Sequence, residues 1–224
     1  MIRNRYDMRR AIRDHLAFFR QFRQRFETTG AIAPSSSFLA KSMTRYLGRR
    51  RDEAVRVLEI GPGTGPVTAQ IVGHLKSGDH FDLVELNESF VEILNNRFRD
   101  EDDWRRVAPF SEIHQRAVQD FVPEMRYDFV ISGLPLNNFP ADLVETITEA
   151  YFRLLKPGGV LSYFEYMYVR PIRRVVSSGD ERIRIRRIDE IMQEHCRRHR
   201  IRRDNIWINL PPAWVQHLQT AVDE

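Results

Sequence analysis

A short apolar run that leads into three alternating glycines is the feature of this chain that most constrains its fold. The run contains Glu59, and Gly61, Gly63 and Gly65 follow it before the predicted start of a helix at Pro66. Glycines at these positions allow the backbone to turn tightly and to approach a ligand that a Cβ atom would block. A turn that opens onto a helix N-terminus also presents free N–H groups, as in dinucleotide-binding folds. The dinucleotide fingerprint would need a glycine where Pro66 stands, so this turn is of a different type.

Two further acidic residues follow predicted strands of the same sheet. Glu85 lies at the end of the strand predicted over residues 80–86, 20 residues beyond Gly65, where a ribose diol would be held. Asp120 follows the strand predicted over residues 113–117. With these acids, the Glu-x-Gly-x-Gly-x-Gly motif resembles that of class I S-adenosylmethionine-dependent methyltransferases. The resemblance implies an α/β fold with a doubly wound, seven-stranded, Rossmann-like sheet, S-adenosylmethionine as cofactor, and Asp120 at the adenine amine.

Hydrophobic periodicity and turn residues predict an N-terminal arm over residues 1–50 and an α/β domain over residues 51–224, and the resemblance implies that this is the methyltransferase domain. The arm is predicted to contain a basic amphipathic helix over residues 7–27 and a second helix over residues 38–46. Strands are predicted over residues 55–60, 80–86, 113–117, 127–132, 160–169, 206–210 and 214–218, the last two as a hairpin. Helices of the domain are predicted over residues 66–75, 89–98, 141–155 and 183–200, the last within a basic segment over about 182–203.

The distribution of charge predicts a polyanionic partner. Residues 1–50 carry a net charge of +9 and residues 170–203 carry +7, although the whole chain carries only +4. The remainder of the chain is therefore acidic, with two basic attachments. This asymmetry favours binding to a nucleic acid or to an anionic membrane surface.

Several classes of protein are not expected from this sequence. The single cysteine, Cys196, excludes an intramolecular disulfide, and no spacing typical of a zinc site occurs, so no metal is expected. No apolar run approaches the length of a membrane span, and the arginine-rich N-terminus has no signal-peptide character. We therefore expect a cytoplasmic protein that is either soluble or peripheral to a membrane.

The segment after the fourth predicted strand is expected to form the acceptor site, because ligands bind beyond the carboxyl ends of the strands in such sheets. It contains Ser132, Gly133, Leu134 and Pro135. A residue before proline favours extended backbone, so Leu134 and Pro135 are predicted to form an extended turn. Such a turn would leave backbone carbonyls available to bind an amine.

Aromatic and acidic residues at the end of the fifth predicted strand are further candidates for this site. Alternation places Tyr163 and Glu165 on one face, and Tyr166 and Tyr168 on the other. Aromatic faces attract ammonium groups, and Glu165 could hold a substrate ammonium or accept its proton. Glu165 and Tyr166 are therefore the candidate catalytic residues, with Tyr163 and Tyr168 at the substrate. The alternative is that these side chains fill the core and stabilise the sheet.

Four segments together resemble the soluble bacterial phospholipid N-methyltransferases: residues 30–36, the glycine motif, residues 132–136 and residues 209–213. The resemblance implies an aminolipid acceptor, either phosphatidylethanolamine or an ornithine lipid, and peripheral association with the inner face of an anionic membrane. The headgroup and the number of methyl groups transferred stay open. Residues 34–36 either close over the cofactor or cap a helix. The implied cofactor site comprises Ser35, Ser36, Glu59, Gly61, Gly63, Gly65, Glu85, Leu86, Val118, Asp120 and Ser132.

The same residues resemble, more distantly, the rRNA adenine dimethylases. In that family an Asn-Leu-Pro-aromatic motif holds a flat base, whereas this chain has Gly133-Leu134-Pro135-Leu136. The missing ring removes a stacking contact worth about 1–3 kcal/mol, which argues against a nucleobase. A nucleic-acid partner is therefore not expected, nor is an obligate protein partner. A non-catalytic module that binds lipid or protein is the third possibility.

Overall fold

The computed structural model describes residues 34–167, 179–209 and 211–222, with only the backbone described for residues 34–36. The arm helix predicted over residues 7–27 and the side chain of Tyr168 lie outside the described residues. The strands are β1 (Arg56–Ile60), β2 (His80–Glu85), β3 (Ser111–Gln115), β4 (Tyr127–Ser132), β5 (Leu155–Tyr166), β6 (Arg200–Ile206) and β7 (Ala213–Gln219). The helices are α1 (Pro34–Met43), α2 (Pro66–His74), α3 (Glu88–Asp100), α4 (Asp102–Val107), α5 (Ala141–Leu154) and α6 (Gly179–His199).

The seven strands form one mixed sheet in the order β3-β2-β1-β4-β5-β7-β6, which confirms the predicted fold class. The first five strands are parallel, and β7 is antiparallel to both β5 and β6. Strand β1 lies between β2 and β4, so the order of the strands reverses at β1. In open α/β sheets, ligands bind beyond the carboxyl ends of the strands at such a reversal point.

Helices cover both faces of the sheet. Alternation along β1 directs Val57 into one apolar cluster and Leu58 into the other. The cluster around Val57 is covered by α1 to α4, and the cluster around Leu58 is covered by α5 and α6. Both faces of the central strands are therefore buried, which explains why these strands are apolar almost throughout.

The terminal hairpin differs from the prediction in position. Strand β6 lies at residues 200–206 rather than at 206–210, and Trp207 begins the turn that follows it. The first four residues of β6 are exposed because β6 is the edge strand of the sheet. The arginines of β6 show little apolar alternation, so the sequence of this strand resembles a continuation of the basic helix α6. Strand β5 is also displaced, since it spans Leu155–Tyr166 instead of residues 160–169.

A buried polar cluster attaches the edge strand to the body of the protein. The Asp204 carboxylate accepts hydrogen bonds from Ser42 Oγ (2.9 Å), Arg45 Nε (2.7 Å) and Arg202 Nε (2.5 Å). On the neighbouring strand, His217 is fully buried, and its Nδ1 lies 2.8 Å from Ser162 Oγ. Burial lowers the pKa of His217 from 6.5 to about 4, against the opposing effect of the nearby Asp204.

Because His217 is buried, we expect the protein to lose stability in mild acid. Because the folded-state pKa of His217 lies below its unfolded value, the unfolded state binds more protons between pH 6.5 and about 4. The free energy of unfolding should therefore fall by up to about 3 kcal/mol as the pH is lowered through this window. Urea unfolding at pH 7.5 and 5 measures the effect. A His217→Gln variant should show a flatter dependence, and an equal slope in both proteins would contradict the assignment.

Candidate active site

The glycine motif forms a left-handed loop at the carboxyl end of β1. Gly61, Gly63 and Gly65 have φ angles of 67°, 59° and 88°, in the region that residues with a Cβ atom rarely adopt. The N–H of Gly61 donates to the Val84 carbonyl at 2.9 Å, which joins the start of the loop to β2. Gly65 is the N-cap of α2. The loop therefore places the open N-terminus of α2 beside the end of β2.

Two acidic residues stabilise the elements around this loop. Glu59 is buried, and its carboxylate accepts a hydrogen bond from Thr68 Oγ1 at 2.7 Å, which ties α2 to β1. The Glu85 carboxylate accepts from the Gly63 N–H at 3.0 Å and from the Asn87 N–H at 2.8 Å. A carboxylate has about four acceptor positions, so one that lines a cleft can hold the loop and also accept from the hydroxyl groups of a ribose. The structure places Glu59 between β1 and α2, and Glu85 at the cleft.

An apolar cleft opens beside Glu85. Its lining includes the predicted residues Gly61, Glu85, Leu86, Val118 and Leu134. The far wall, which the sequence did not indicate, is formed by Phe139, Leu143 and Ile147 at the start of α5. An apolar slot with a carboxylate at one end matches the chemistry of an adenosine, which combines a flat ring with a diol.

The 3-10 turn that contains Asp120, the residue predicted at the adenine amine, borders the cleft. Asp120 is exposed and is not among the described residues that line the cleft, whereas Arg116 and Gln119 line it. Residues Val118–Asp120 form a 3-10 turn, which changes the direction of successive side chains. Gln119 is thus an additional candidate for the adenine amine, and the assignment to Asp120 stays a prediction.

The glycine loop packs closely against the segment that follows β4. A Cβ atom added to Gly61 would lie 2.6 Å from Leu134 Cδ2, and one added to Gly133 would lie 2.7 Å from the Gly61 carbonyl oxygen. The glycine loop and the segment after β4 therefore approach as closely as their backbones allow. The cofactor cleft and the predicted acceptor segment meet at these two glycines.

Arg97 is a supporting residue that sequence reasoning missed. Its Nη1 donates to the Thr64 carbonyl at 2.9 Å, its Nε donates to Glu101 at 2.6 Å, and its guanidinium lies 4.2 Å from the Trp104 ring centroid. This contact joins α3 to the glycine loop across 33 residues of sequence. No local pattern reveals such a contact, because an arginine four residues before a glutamate is also typical of an ordinary exposed helix face.

The acceptor segment is fixed by hydrogen bonds to the body of the sheet. Ser132 is fully buried, and its Oγ lies 2.5 Å from the hydroxyl of Tyr151 on α5. The Leu134 N–H donates to Ser132 Oγ at 3.3 Å, and the Gly133 N–H donates to the Ile60 carbonyl at 2.8 Å. Ser132 therefore links the backbone of the acceptor segment to α5.

A second pocket lies between this segment and the end of β5. Pro135 lines one side of it, and Glu165 and Tyr166 line the other. One oxygen of the Glu165 carboxylate accepts from Gln216 Nε2 at 2.6 Å. Tyr163 also reaches this pocket but is 1% exposed, and its hydroxyl lies 3.4 Å from Cys196 Sγ in the core. The structure thus brings the two catalytic candidates next to the predicted acceptor segment.

The remaining predicted residues of the cofactor site lie in α1. Ser35 and Ser36 belong to its first turn, and their side chains lie outside the described part of the structure. Whether they cap the helix or close over the cofactor stays a prediction.

A cluster of metal-ligating type, comprising Asp82, Glu112 and His114, occurs elsewhere in the sheet. The Asp82 carboxylate accepts from the Tyr127 hydroxyl at 2.6 Å and lies 2.7 Å from His80 Nε2 and 2.8 Å from His114 Nε2. These hydrogen bonds account for the burial of the carboxylate. The cluster has no part in the cleft.

Much of the charge of the basic helix α6 is paired. Arg184 forms an ion pair with Glu181 and donates to the Phe139 carbonyl at 2.5 Å, behind the acceptor segment. Arg187 forms ion pairs with Asp142 and Glu145 on α5, and Arg197 and Arg198 pair with Glu194. In the described residues, no helix combines the length and apolar character needed to cross a bilayer.

Comparisons with known proteins agree with this geometry. A family model described as "Methyltransferase domain" matches residues 58–161. The ornithine lipid N-methyltransferase of Singulisphaera acidiphila is 27% identical over 173 residues, covering 73% of this chain and 85% of that protein. The ribosomal RNA small subunit methyltransferase A of Pseudomonas putida is 28% identical over 147 residues, covering 63% of this chain but only 48% of its own length.

Solved structures of methyltransferases share the fold. The N-methyltransferase NodS from Bradyrhizobium japonicum, in complex with S-adenosylhomocysteine, superimposes with a TM-score of 0.61 at 15% identity, covering 84% of this chain and 89% of NodS. The O-methyltransferase TomG from Streptomyces achromogenes, in complex with S-adenosylmethionine, gives a TM-score of 0.58 at 18% identity, covering 85% and 82%.

Proposed function

Because the chain is a class I S-adenosylmethionine-dependent methyltransferase, we propose that it methylates the amine of a membrane aminolipid, either phosphatidylethanolamine or an ornithine lipid. The reaction would take place at the inner face of the membrane, with the protein bound peripherally. Successive methylations of one amine are compatible with this site, because methyl groups can be added to nitrogen until its lone pair is used.

The pocket beside Pro135 supports this acceptor more than any other observation. Its lining includes Glu165 and Tyr166, an acidic and an aromatic residue, which are the two kinds of residue that attract an ammonium ion. At positions 133 and 136, where the rRNA adenine dimethylases have the amide and the ring that hold a base, this chain has glycine and leucine. The ornithine lipid relative, of which this chain covers 85%, supports the same choice.

Different residues of the chain would bind the cofactor and keep water out of the cleft. S-adenosylmethionine supplies a methyl group bound to a positively charged sulfur, which an amine lone pair displaces in line. Glu85 would bind the ribose hydroxyls, and the glycine loop allows the backbone to approach the cofactor closely. Leu134 and Phe139 would exclude water from the cleft.

Glu165 would act on the acceptor. Only the neutral amine has a free lone pair, so an ammonium held by Glu165 must lose its proton before transfer. One Glu165 oxygen accepts from Gln216, which fixes the orientation of the carboxylate toward the pocket. The proton would pass to Glu165 or, through it, to solvent.

We expect Glu165→Gln to lower kcat by about 100-fold, because general base catalysis contributes at least that factor. The KM for S-adenosylmethionine should stay unchanged. The deficit should shrink at high pH, where more of the amine is already neutral. Glu92→Gln, at an exposed position of α3, is a matched control and should retain full activity. A loss that does not vary with pH would argue that Glu165 only supports the sheet.

Methyl transfer to defined vesicles tests the proposed function. Purified protein is incubated with methyl-labelled S-adenosylmethionine and vesicles that contain phosphatidylethanolamine, ornithine lipid or, as a control without an amine, phosphatidylglycerol. Label in a lipid of either amine-containing set, and none with phosphatidylglycerol alone, is the expected result. Cofactor binding without transfer to either aminolipid would contradict the proposal and favour a non-catalytic module.

RNA methylation is a second candidate function, which similarity to RNA methyltransferases supports. Relatives named as ribosomal RNA methyltransferases match 63% of the chain, although the chain spans about half of their length. Label recovered in RNA would identify this alternative.

A further inference from the structure

An open cleft of about 500 Å³ lies on the edge of the sheet, separate from the cofactor cleft and the acceptor pocket. One wall is formed by α1 and the turn that follows it, and the other by residues 205–208 at the end of β6. None of the residues that line this edge cleft lines either of the other two pockets. The edge cleft is large enough for the headgroup region of a phospholipid.

The rim of the edge cleft exposes large apolar side chains. Phe38, Trp207 and Ile208 line it and are 47%, 60% and 64% exposed, respectively. Exposed apolar groups gathered at one place mark an interaction surface, and tryptophan favours the boundary between lipid and water. Covering an exposed tryptophan and an adjacent exposed isoleucine is favourable in proportion to the apolar area removed from water.

The part of the edge cleft formed by residues 205–208 lies at the same end of the sheet as the acceptor pocket, and the cleft extends from there to His74 at the end of α2. Ile206 pairs with Ala213, and Ala213 pairs with Tyr166, which lines that pocket. Trp207 and Ile208 therefore project where β5 ends and where the acceptor must enter. A surface that contacts these residues would face the opening of the acceptor pocket.

The charge of the edge cleft fits an anionic partner. Lys41, Arg45 and Arg49 line it, and no carboxylate is among its described lining residues. Arg45 is paired with Asp204, but no ion pair of Lys41 or Arg49 occurs among the described residues. This distinguishes the edge cleft from α6, where acidic neighbours pair with four of the arginines.

We propose that the edge cleft docks the protein on a bilayer that contains anionic phospholipid. Trp207 and Ile208 enter the interfacial layer, while Lys41 and Arg49 contact lipid phosphates. The docked edge then presents the acceptor pocket to the aminolipids of the same leaflet. The choice of a lipid partner rests on the proposed function, but docking and methyl transfer can fail separately.

Quenching of tryptophan fluorescence by brominated lipid tests the contact directly. The chain has three tryptophans, of which Trp104 is buried and Trp207 is the most exposed. Vesicles of phosphatidylcholine and phosphatidylglycerol with brominated acyl chains should quench the full-length protein, and Trp207→Phe should lose most of that quenching. Equal quenching in both proteins would overturn the proposal.

Vesicle sedimentation measures the contribution of charge. Lys41→Gln and Arg49→Gln should each weaken partitioning onto phosphatidylglycerol vesicles by about fivefold, as expected for one basic residue near an anionic surface. Arg126→Gln is the matched control, since Arg126 is exposed, precedes β4 and does not line the edge cleft. Partitioning that the Lys41 and Arg49 variants leave unchanged would overturn the proposal, provided that their melting temperatures equal that of the wild type.

Two further outcomes separate the alternatives. If ribosomal RNA displaces the protein from vesicles and binding of the RNA requires Lys41 and Arg49, the edge cleft serves RNA and the bilayer proposal is wrong. If the variants lose vesicle binding yet methylate detergent-dispersed aminolipid normally, docking is supported as a step distinct from transfer. Vesicle binding by the wild type without any methyl transfer would leave docking supported and would contradict the proposed function instead.

Discussion

Replacing Glu85 with alanine is expected to weaken the binding of S-adenosylmethionine by about 100-fold or more. The Glu85 carboxylate accepts hydrogen bonds from the N–H groups of Gly63 and Asn87 and lies at the cofactor cleft. Hydrogen bonds to a charged group contribute about 1.5–3 kcal/mol each, so the loss of the loop contact and of the ribose contact together gives this factor. Calorimetric titration with S-adenosylhomocysteine measures the change.

A neighbouring glutamate provides the control for this experiment. Glu88 is exposed in the first turn of α3, three residues away, and Glu88→Ala removes the same charge without touching the glycine loop. Its cofactor affinity should stay within about threefold of wild type, since a surface charge at a helix end contributes only about 0.3–1 kcal/mol. Equal losses in the two variants would mean that general electrostatics, rather than the loop contact, determines affinity.

Gly61→Ala is expected to abolish measurable activity while the protein stays folded. The φ angle of Gly61 is +67°, which costs a residue with a Cβ atom about 1–2 kcal/mol. In addition, the new Cβ would lie 2.6 Å from Leu134 Cδ2, so the Leu134 side chain, which lines the cofactor cleft, would have to move. Because displacement of reacting groups by about 1 Å can cost 100-fold in rate, the combined effect on kcat/KM should exceed this factor.

A Gly78→Ala variant separates the effect of backbone strain from the effect of the contact with Leu134. Its φ angle is +92°, so alanine is similarly strained there, but its Cβ would meet only Ala54 Cβ at an ordinary 3.7 Å. Gly78→Ala should therefore lower the melting temperature as Gly61→Ala does and leave kcat/KM unchanged. If both variants lost activity in proportion to stability, backbone strain alone would explain the effect, and the approach of Leu134 to the glycine loop would have no catalytic importance.

The central part of the fold could be predicted because its signals are local. Strands β1, β2 and β4 are buried on both faces, and glycine, proline or acidic residues mark their ends. The edge strand β6 could not be located, because three exposed arginines among its first four residues contact no core that would impose an alternating pattern. Only its pairing with β7 identifies it as a strand.

Some residues of the candidate site could likewise be predicted from the sequence, and others could not. Glu85 and the three glycines follow from their positions at strand ends, and the structure places them together. Arg97 could not be found, because its contact with Thr64 depends on how α3 packs against the loop. That Gln119 lines the cleft, as an additional candidate beside Asp120, depends on the course of a single 3-10 turn. The edge cleft brings α1 together with a turn more than 150 residues later in the chain, which no sequence pattern links.

Competition between acceptors in a single vessel tests the central claim most directly. The protein is incubated with methyl-labelled S-adenosylmethionine, vesicles that contain phosphatidylethanolamine and ornithine lipid, and ribosomal RNA that lacks the methylation. The account predicts that label is recovered in the organic phase on the amine of one of the two lipids, and that Glu85→Ala abolishes it. Label that remains in the aqueous phase on RNA would contradict the account.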